Sequence, residues 1–242
     1  MLVLDDPHAL AHRGAVEFQT LARTAIEQRG RFAVALSGGS TPKAMLGLLA
    51  AQEFARSVEW PSVHFFWGDE RCVRREDTNS NFAMAKQALL GPIRAADANV
   101  HRMRGELEPH AGAADYNEQL KAFFAGSAIR FDLIYLGLGS DGHTASLFPG
   151  SAALHVTDMP CTPNHVPQDA TAPWRLTLTY PALNAARAVV FLVEGAEKAD
   201  VLAKVVDGPR DVERFPAQGV APAEGTLTWL VDRAAATKLK RA

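Results

Sequence analysis

An aspartate and a histidine, Asp141 and His143, stand two residues apart in a glycine-rich segment, FDLIYLGLGSDGHTASLFPG at residues 131–150. The apolar run at 131–136 predicts a buried strand that opens into this turn. Because open α/β sheets bind ligands at the carboxyl ends of their strands, the turn is a predicted ligand site. A carboxylate and an imidazole this close are suited to proton transfer there, although a lone histidine is more often structural or solvated.

The same turn carries the spacing of a dinucleotide fingerprint, Gly137-x-Gly139-x-x-Gly142. That motif requires a full helix after the third glycine and an acidic residue ~20 positions further on, at the end of a second strand. Pro149 allows only a short helical turn, and the nearest acid, Asp158, has no strong strand before it. We therefore reject a dinucleotide site and attribute the glycines to a close approach between the turn and a substrate.

A second glycine-rich turn, SGGSTP at residues 37–42, follows a predicted strand and begins a predicted helix. Gly38 and Gly39 allow backbone N–H groups to converge near the positive end of the helix dipole. Ser40 and Thr41 add two hydroxyl groups. These features describe a phosphate cradle, but a strand-to-helix turn capped by Ser or Thr fits them equally well. The turn lacks the lysine of a nucleotide P-loop, so ATP is not implied.

Charged residues accompany other predicted strands. Asp69, Glu70 and Arg71 come directly after one of them, where the acids could orient groups or accept protons and the arginine could bind an anion. A solvated charged loop is the commoner origin of such a cluster. Arg175 and Lys198 could each supply a further cation. A lysine at a helix start is disfavoured by the helix dipole, and a bound anion would explain it.

The composition limits the classes of partner. The chain has 242 residues, of which 48% are hydrophobic and 21% are charged, and these proportions are ordinary for a globular protein. Its formal net charge is −2, so neither nucleic acid nor an anionic membrane is expected as a partner. No stretch approaches the ~20 apolar residues of a membrane span, and no signal-peptide pattern is present. Cys72 and Cys161 have no metal or redox spacing and are expected to be reduced thiols of a cytoplasmic protein.

Apolar runs alternate with helical spacing along the chain, which predicts one α/β domain over residues 1–242 with a mostly parallel sheet and helices on both faces. The proline-rich stretch at 160–173 is predicted to be a surface loop, and 210–225 to be irregular. Strands are predicted at 32–36, 63–67, 131–136, 154–156, 175–179, 188–193 and 227–230, and helices at 7–29, 42–51, 81–90, 111–124 and 196–206.

Taken together, these blocks resemble the 6-phosphogluconolactonase family, and they follow the family order over nearly the whole chain. The most specific block is GLGSDGHTASLFPG at 137–150, whereas the GSTP of the first glycine turn is shared with related sugar-phosphate enzymes. One departure is Arg74, where the family usually has proline, and it bears on loop stiffness. The further matches are ALSGGSTP at 35–42, GDER at 68–71 with Ser80-Asn81, WRLTLT at 174–179, Gly195-x-x-Lys198, and Pro216-Ala217 with Trp229 and Asp232.

The resemblance implies hydrolysis of 6-phospho-D-glucono-1,5-lactone to 6-phosphogluconate in the oxidative pentose phosphate pathway. It implies no cofactor and no metal, and a Rossmann-like fold shared with glucosamine-6-phosphate deaminases and ribose-5-phosphate isomerases. We hypothesise that His143 is the general base and that Asp141 orients it or a substrate hydroxyl, with backbone N–H groups of the glycine turn as candidate oxyanion donors. Arg71 could serve the phosphate or the lactone. The other expected substrate-binding residues are Gly38, Gly39, Ser40, Thr41, Asp69, Arg175 and Lys198.

Two alternatives remain at this point: a sugar-phosphate deaminase-isomerase of the same superfamily, and a non-catalytic sugar-phosphate sensor. A deaminase of this kind has a glutamate where Phe148 stands and a tyrosine where Arg71 stands, and phenylalanine cannot relay a proton. A sensor normally needs an output module, and no DNA-binding segment fits beside this domain; the presence of His143 also argues against a purely binding role. The expected partner is a phosphorylated sugar lactone, and the expected state is a monomer or a small homo-oligomer.

Overall fold

The computed structural model describes residues 1–125 and 128–240, which form two sheets. The main sheet has six parallel strands in the order β1-β9-β8-β5-β2-β3, and the second has three antiparallel strands in the order β4-β7-β6. The strands are β1 (Leu2–Leu4), β2 (Phe32–Leu36), β3 (Val63–Trp67), β4 (Asp69–Arg71), β5 (Leu133–Leu136), β6 (Cys161–His165), β7 (Trp174–Leu178), β8 (Ala188–Val193) and β9 (Thr226–Asp232).

The helices begin and end at residues that favour those positions. Asp6 caps the first helix through a hydrogen bond from the backbone of Ala9, Pro7 occupies its first turn, and Gly30 ends it in a left-handed conformation. The α-helices are α1 (Pro7–Arg29), α2 (Ser40–Ala50), α3 (Gln52–Ala55), α4 (Asn81–Ala85), α5 (Pro109–Phe124), α6 (Tyr180–Asn184), α7 (Ala199–Asp207) and α8 (Arg233–Ala236).

Helices cover both faces of the main sheet, as the side chains of β3 show. Phe65 stacks on Trp60, which also contacts Phe18 of α1, whereas its neighbour Phe66 lies against Phe124 of α5. Because successive side chains of a strand point to opposite faces, α1 and α5 lie on opposite sides. Every residue of β2 and β8 is buried, as expected for central parallel strands covered on both faces. The predicted α/β class is therefore confirmed.

The second sheet was not predicted as such. It joins the main sheet at Gly68, which links β3 to β4 and accepts a hydrogen bond from the backbone of Leu178. The prediction of a surface loop over 160–173 is wrong for β6, which pairs along its whole length with β7. Pro163 is compatible with this pairing because β6 is an edge strand.

Three other elements differ from their predictions. The strand predicted at 154–156 is wrong, because a 3₁₀ turn occupies Ala152–His155; so short an apolar run does not distinguish the two. The helix predicted at 81–90 is α4 followed by a π-helical turn, Lys86–Leu90. The helix predicted at 196–206 is a 3₁₀ turn, Ala196–Lys198, followed by α7. No helix in the described ranges combines the length and apolar character that a membrane crossing requires.

Candidate active site

Four turns meet at the carboxyl edge of the main sheet because β2, β3, β5 and β8 are parallel neighbours. The turns after β2 and β5 contribute Gly38, Gly39 and His143, and the turn after β8 contributes Lys198. The turn after β3 leads directly into β4, which carries Asp69 and Arg71. These residues line one cleft, so the structure brings together residues from all four predicted segments.

The cleft consists of two adjoining hollows of about 290 and 480 Å³. The first, the lysine hollow, contains Lys198 and the glycine turn after β2. The second, the arginine hollow, contains Arg175 and part of the segment 166–171. Four residues line both hollows: Asp69, Arg71, His143 and Ala145. A bound molecule that spans both hollows would therefore pass directly over the imidazole.

The imidazole of His143 is held by Asp141. Its Nδ1 lies 2.6 Å from the Asp141 Oδ1, and the same oxygen accepts the backbone N–H of His143 at 3.0 Å. The Phe148 ring stacks on the imidazole with centroids 4.1 Å apart. Burial by itself would raise the pKa of Asp141, but the hydrogen bond and charge of His143 outweigh it and lower that pKa. The carboxylate engages Nδ1, so Nε2 is the nitrogen left to exchange a proton.

Glycine is required beside the imidazole for steric reasons. A Cβ at Gly139 would lie 2.0 Å from the Nδ1 of His143, and Gly142 has a φ of 88°, in the left-handed region. The turn also uses its own N–H groups, since Gly139 donates to the His143 carbonyl at 2.8 Å and Gly142 to the Gly139 carbonyl at 3.0 Å. These two N–H groups are therefore not free to bind an oxyanion in this conformation.

Asp69 is fixed from two sides at the base of the cleft. Its Oδ2 accepts the Ser146 hydroxyl at 2.7 Å, and its Oδ1 lies 3.2 Å from the Asn81 side-chain nitrogen. The Asn81 amide also fills the space beside Gly38, where a Cβ would come within 1.9 Å of its oxygen. Neither Asn81 nor Ser146 was predicted as a site residue. The only sequence feature that pointed to Asn81 was the Ser80-Asn81 match to the family.

Glu70 lies behind the cleft and holds β4 to the start of α4. It is 2% exposed, and its carboxylate accepts hydrogen bonds from the backbones of Arg71, Asn81 and Phe82 and from the Ser80 hydroxyl. Burial raises its pKa to about 6, although those four hydrogen bonds oppose the rise. Glu70 therefore acts by positioning its neighbours and does not line the cleft.

Arg71 and Arg175 stand directly opposite each other across the β4–β7 pair. Arg175 is 5% exposed; one of its nitrogens, Nη2, donates to Asp169, and the other, Nη1, has no hydrogen-bond partner in the described structure. Burial and then the positive charge of Arg71 lower the pKa of Arg175. Two adjacent guanidinium groups repel each other, and an anion between them would relieve this repulsion and satisfy Nη1. Asp169 was not predicted.

Ser40 and Thr41 lie at the edge of this arrangement. The Ser40 hydroxyl donates to Glu194 at 3.3 Å, and Thr41 is buried in the first turn of α2. From this turn, it is Ser37, Gly38 and Gly39 that line the lysine hollow. Among the described residues, no group of three or more His, Cys, Asp or Glu side chains could hold a metal ion.

Comparisons with known proteins identify the family of the chain. The model of the family "Glucosamine-6-phosphate isomerases/6-phosphogluconolactonase" matches residues 5–229. The chain belongs to this family, and the family predicted from the sequence is thereby confirmed. A monomeric glucosamine-6-phosphate deaminase shares the fold, with a TM-score of 0.80 at 18% identity over 98% of both chains.

Several relatives within the family share one activity name. The 6-phosphogluconolactonase of Synechocystis is 41% identical over 98% of this chain and 97% of its own length. That of Mycobacterium tuberculosis is 40% identical over 89% and 88%, respectively. The structure of 6-phosphogluconolactonase from Trypanosoma brucei superposes with a TM-score of 0.86, at 29% identity, over 98% of this chain and 97% of that one.

Proposed function

We propose that this chain hydrolyses 6-phospho-D-glucono-1,5-lactone to 6-phospho-D-gluconate, the second step of the oxidative pentose phosphate pathway, with His143 as the general base. The observation that carries the proposal is His143, which is held by Asp141 and lines both hollows of the cleft. The family and its relatives of about 40% identity support the same reaction. No described cluster suits a metal, and a lactone is reactive enough to be hydrolysed by a base and an oxyanion site.

In this mechanism, the Nε2 of His143 removes a proton from water as the water oxygen attacks the lactone carbonyl carbon. Asp141 holds the imidazole through Nδ1 and stabilises the imidazolium that forms. The carbonyl π electrons move onto the oxygen and return as the bond from the carbonyl carbon to the ring oxygen breaks. The imidazolium then gives its proton to the departing ring oxygen. A positioned base of this type contributes ~10²–10⁴ in rate.

Arg71 is placed to stabilise the oxyanion. The N–H groups of Gly139 and Gly142 are engaged within their own turn, whereas the Arg71 guanidinium lines both hollows beside His143. Its Nη1 donates to the Asn79 carbonyl at 2.7 Å, which fixes the guanidinium and leaves its other donors for substrate. A donor directed at an oxyanion is worth ~10²–10³ in rate.

The cleft has two ends that carry positive charge and could bind the 6-phosphate. Lys198 with the Gly38–Gly39 turn defines one, and Arg175 defines the other. The glycine turn leads into α2, whose N-terminus adds partial positive charge, and Ser40 and Thr41 stand in its first turn. Lys198 is positioned by Gly195, whose N–H lies 3.1 Å from both carboxylate oxygens of Asp232.

A direct assay tests the proposal, using lactone made in situ from glucose 6-phosphate. His143→Ala should lower kcat at least ~10²-fold while product affinity changes little, because the base acts in the transition state more than in binding. Activity within about threefold of the parent would contradict the role of His143. Failure of the parent enzyme to accelerate hydrolysis at all would contradict the function itself.

A further inference from the structure

A groove outside the active cleft is larger than either of its hollows. It consists of two adjoining cavities of about 690 and 550 Å³ that share a wall made by Arg75, Phe82, Lys86 and Gly91. We call it the α4 groove, because α4 and the π-helical turn after it form this wall. Each cavity falls within the ~300–1,000 Å³ typical of small-molecule sites. The α4 groove shares no lining residue with the active cleft.

The lining of the α4 groove is rich in positive charge, although the chain as a whole carries a net charge of −2. One of its carboxylates, Asp77, already accepts hydrogen bonds from Asn79. Lys43, Lys86 and Arg94 form no ion pair with any described residue. The groove therefore favours an anion. Its five cations are Lys43, Arg75, Lys86, Arg94 and Arg102, against the carboxylates Glu76, Asp77 and Asp97.

An aromatic ring fixes two of these cations. The guanidinium carbons of Arg75 and Arg102 lie 5.0 and 5.6 Å from the centroid of the Phe82 ring. Arg102 also donates to the Glu106 carboxylate through both of its terminal nitrogens, Nη1 and Nη2. Guanidinium groups held in this way present flat faces on which planar rings stack. With apolar surface from Leu90 nearby, the groove suits a ligand that has both a planar ring and an anionic group.

Arg94 provides an independent observation. It has a φ of 53°, and it ends its helix with hydrogen bonds from its own N–H to the Gly91 carbonyl at 3.0 Å and from Ala95 to the Leu90 carbonyl at 2.9 Å. Glycine is the usual residue at this position because a side chain there is strained. An arginine anywhere in the last turn would satisfy the helix dipole without that strain. The π-helical turn Lys86–Leu90 on the same wall is a second irregularity of the kind frequent at functional sites.

We propose that the α4 groove binds a nucleotide, with its phosphates on Lys86 and Arg94 and its base against the guanidinium faces of Arg75 and Arg102. Phosphates supply the anion that the unpaired cations favour, and the base supplies the planar ring. The site is separate from lactone hydrolysis and does not depend on it. Helix α4 contributes Asn81 to the active cleft and Phe82 to the groove, so the two sites are neighbours.

Calorimetric titration with ADP, adenosine and inorganic phosphate as separate probes tests this site. We expect ADP to bind one to one with Kd below about 1 mM, at least about tenfold more tightly than adenosine or phosphate. Its affinity should fall as salt rises from about 0.05 to about 0.2 M, because charge contributes to binding. Adenosine that binds as tightly as ADP, or no ADP binding at millimolar concentration, would overturn the proposal.

Two variants locate the binding. Lys86→Ala/Arg94→Gly should weaken ADP at least about tenfold, since two charge-assisted contacts are lost. Glycine relieves the strain at position 94, so thermal unfolding should confirm that this variant is folded. Lys198→Ala, in the active cleft, should leave the ADP affinity within about twofold of the parent's. Unchanged affinity in the double variant, or loss in Lys198→Ala, would place ADP elsewhere and refute the assignment.

Discussion

Gly139 offers a test of His143 that leaves the histidine itself in place. A Cβ at this position would lie 2.0, 2.2 and 2.7 Å from the Nδ1, Cε1 and Cγ of the His143 ring, and these are the three nearest atoms. The φ of Gly139 is not in the left-handed region, so the backbone accepts alanine. Gly139→Ala therefore requires the imidazole to turn away. That movement breaks the 2.6 Å contact with Asp141 and the stacking on Phe148.

The expected loss in kcat follows from the proposed role of His143 as the general base. A displaced base should cost ~10²–10⁴ in kcat, or about 2.7–5.4 kcal/mol of transition-state stabilisation. The stability of the fold should change far less, by about 1 kcal/mol, since the methyl group meets only a partly exposed side chain. Initial rates of lactone hydrolysis measure the first effect, and urea unfolding measures the second.

Three further variants make the test selective. Gly47→Ala, where a Cβ meets nothing within 4 Å, should retain parental activity. His143→Ala gives the loss in kcat that is expected when the imidazole is absent, for comparison with Gly139→Ala. Because the methyl group acts through the imidazole, the double variant Gly139→Ala/His143→Ala should be no less active than His143→Ala alone. The reasoning fails if Gly139→Ala stays within about threefold of the parent, or if the double variant loses a further tenfold or more.

Other predictions concern the phosphate, the pH dependence and the choice of reaction. Of Lys198→Ala and Arg175→Ala, the variant at the end of the cleft that takes the 6-phosphate should weaken phosphorylated lactone by ~1.5–3 kcal/mol and unphosphorylated gluconolactone much less; losses in KM that are equal for the two substrates in both variants would refute a phosphate role at either end. Burial and then the neighbouring His64 lower the pKa of His101 to about 4. As the pH is lowered from 6.5 to 4, His101 therefore takes up a proton in the unfolded chain but not in the folded one. The free energy of unfolding, measured with urea, should fall over this range. His101→Phe should lessen that fall, and an identical fall in the variant would exclude this cause. With Phe148 against the imidazole, ammonia release from glucosamine 6-phosphate should be slower than lactone hydrolysis at equal enzyme concentration; the reverse order would contradict the assignment.

The part of the site built on the main, parallel sheet could be predicted from the sequence because its strands are mostly buried runs of apolar residues. The strands β2, β5 and β8 are each such a run, β3 departs from it only at the half-buried His64, and each of the four strands is followed by a turn that contains glycine. Parallel strands present their carboxyl ends at one edge, so placing Gly38, His143 and Lys198 together required only the correct fold class. The structure does bring these residues into one cleft.

The second sheet could not be predicted in this way. Asp69, Glu70 and Arg71 read as a solvated loop because charged residues seldom lie in buried strands. Asp69 and Glu70 are buried here because their carboxylates are hydrogen-bonded, as Glu70 is by four donors from residues 71–82, whereas Arg71 is partly exposed and lines the cleft. The pairing of Arg71 with Arg175 depends on the register of β4 against β7, and no spacing in the sequence encodes it. Asp169 lies in the loop between β6 and β7, and its contact with Arg175 depends on the shape of that loop.

The junction of the two sheets explains why the cleft can combine a histidine with several cations. The main sheet places His143 and Lys198 at its carboxyl edge, in turns whose glycines allow backbone conformations that other residues rarely adopt. The second sheet places Arg71 and Arg175 opposite each other on paired strands, so strand pairing fixes their backbones as neighbours. Like charges opposite each other in an antiparallel pair are unfavourable. Asp169 accepts a hydrogen bond from only one nitrogen of the buried Arg175, and Nη1 is left without a partner in the described structure. The fold therefore maintains a repulsion near His143 that a bound anion would relieve.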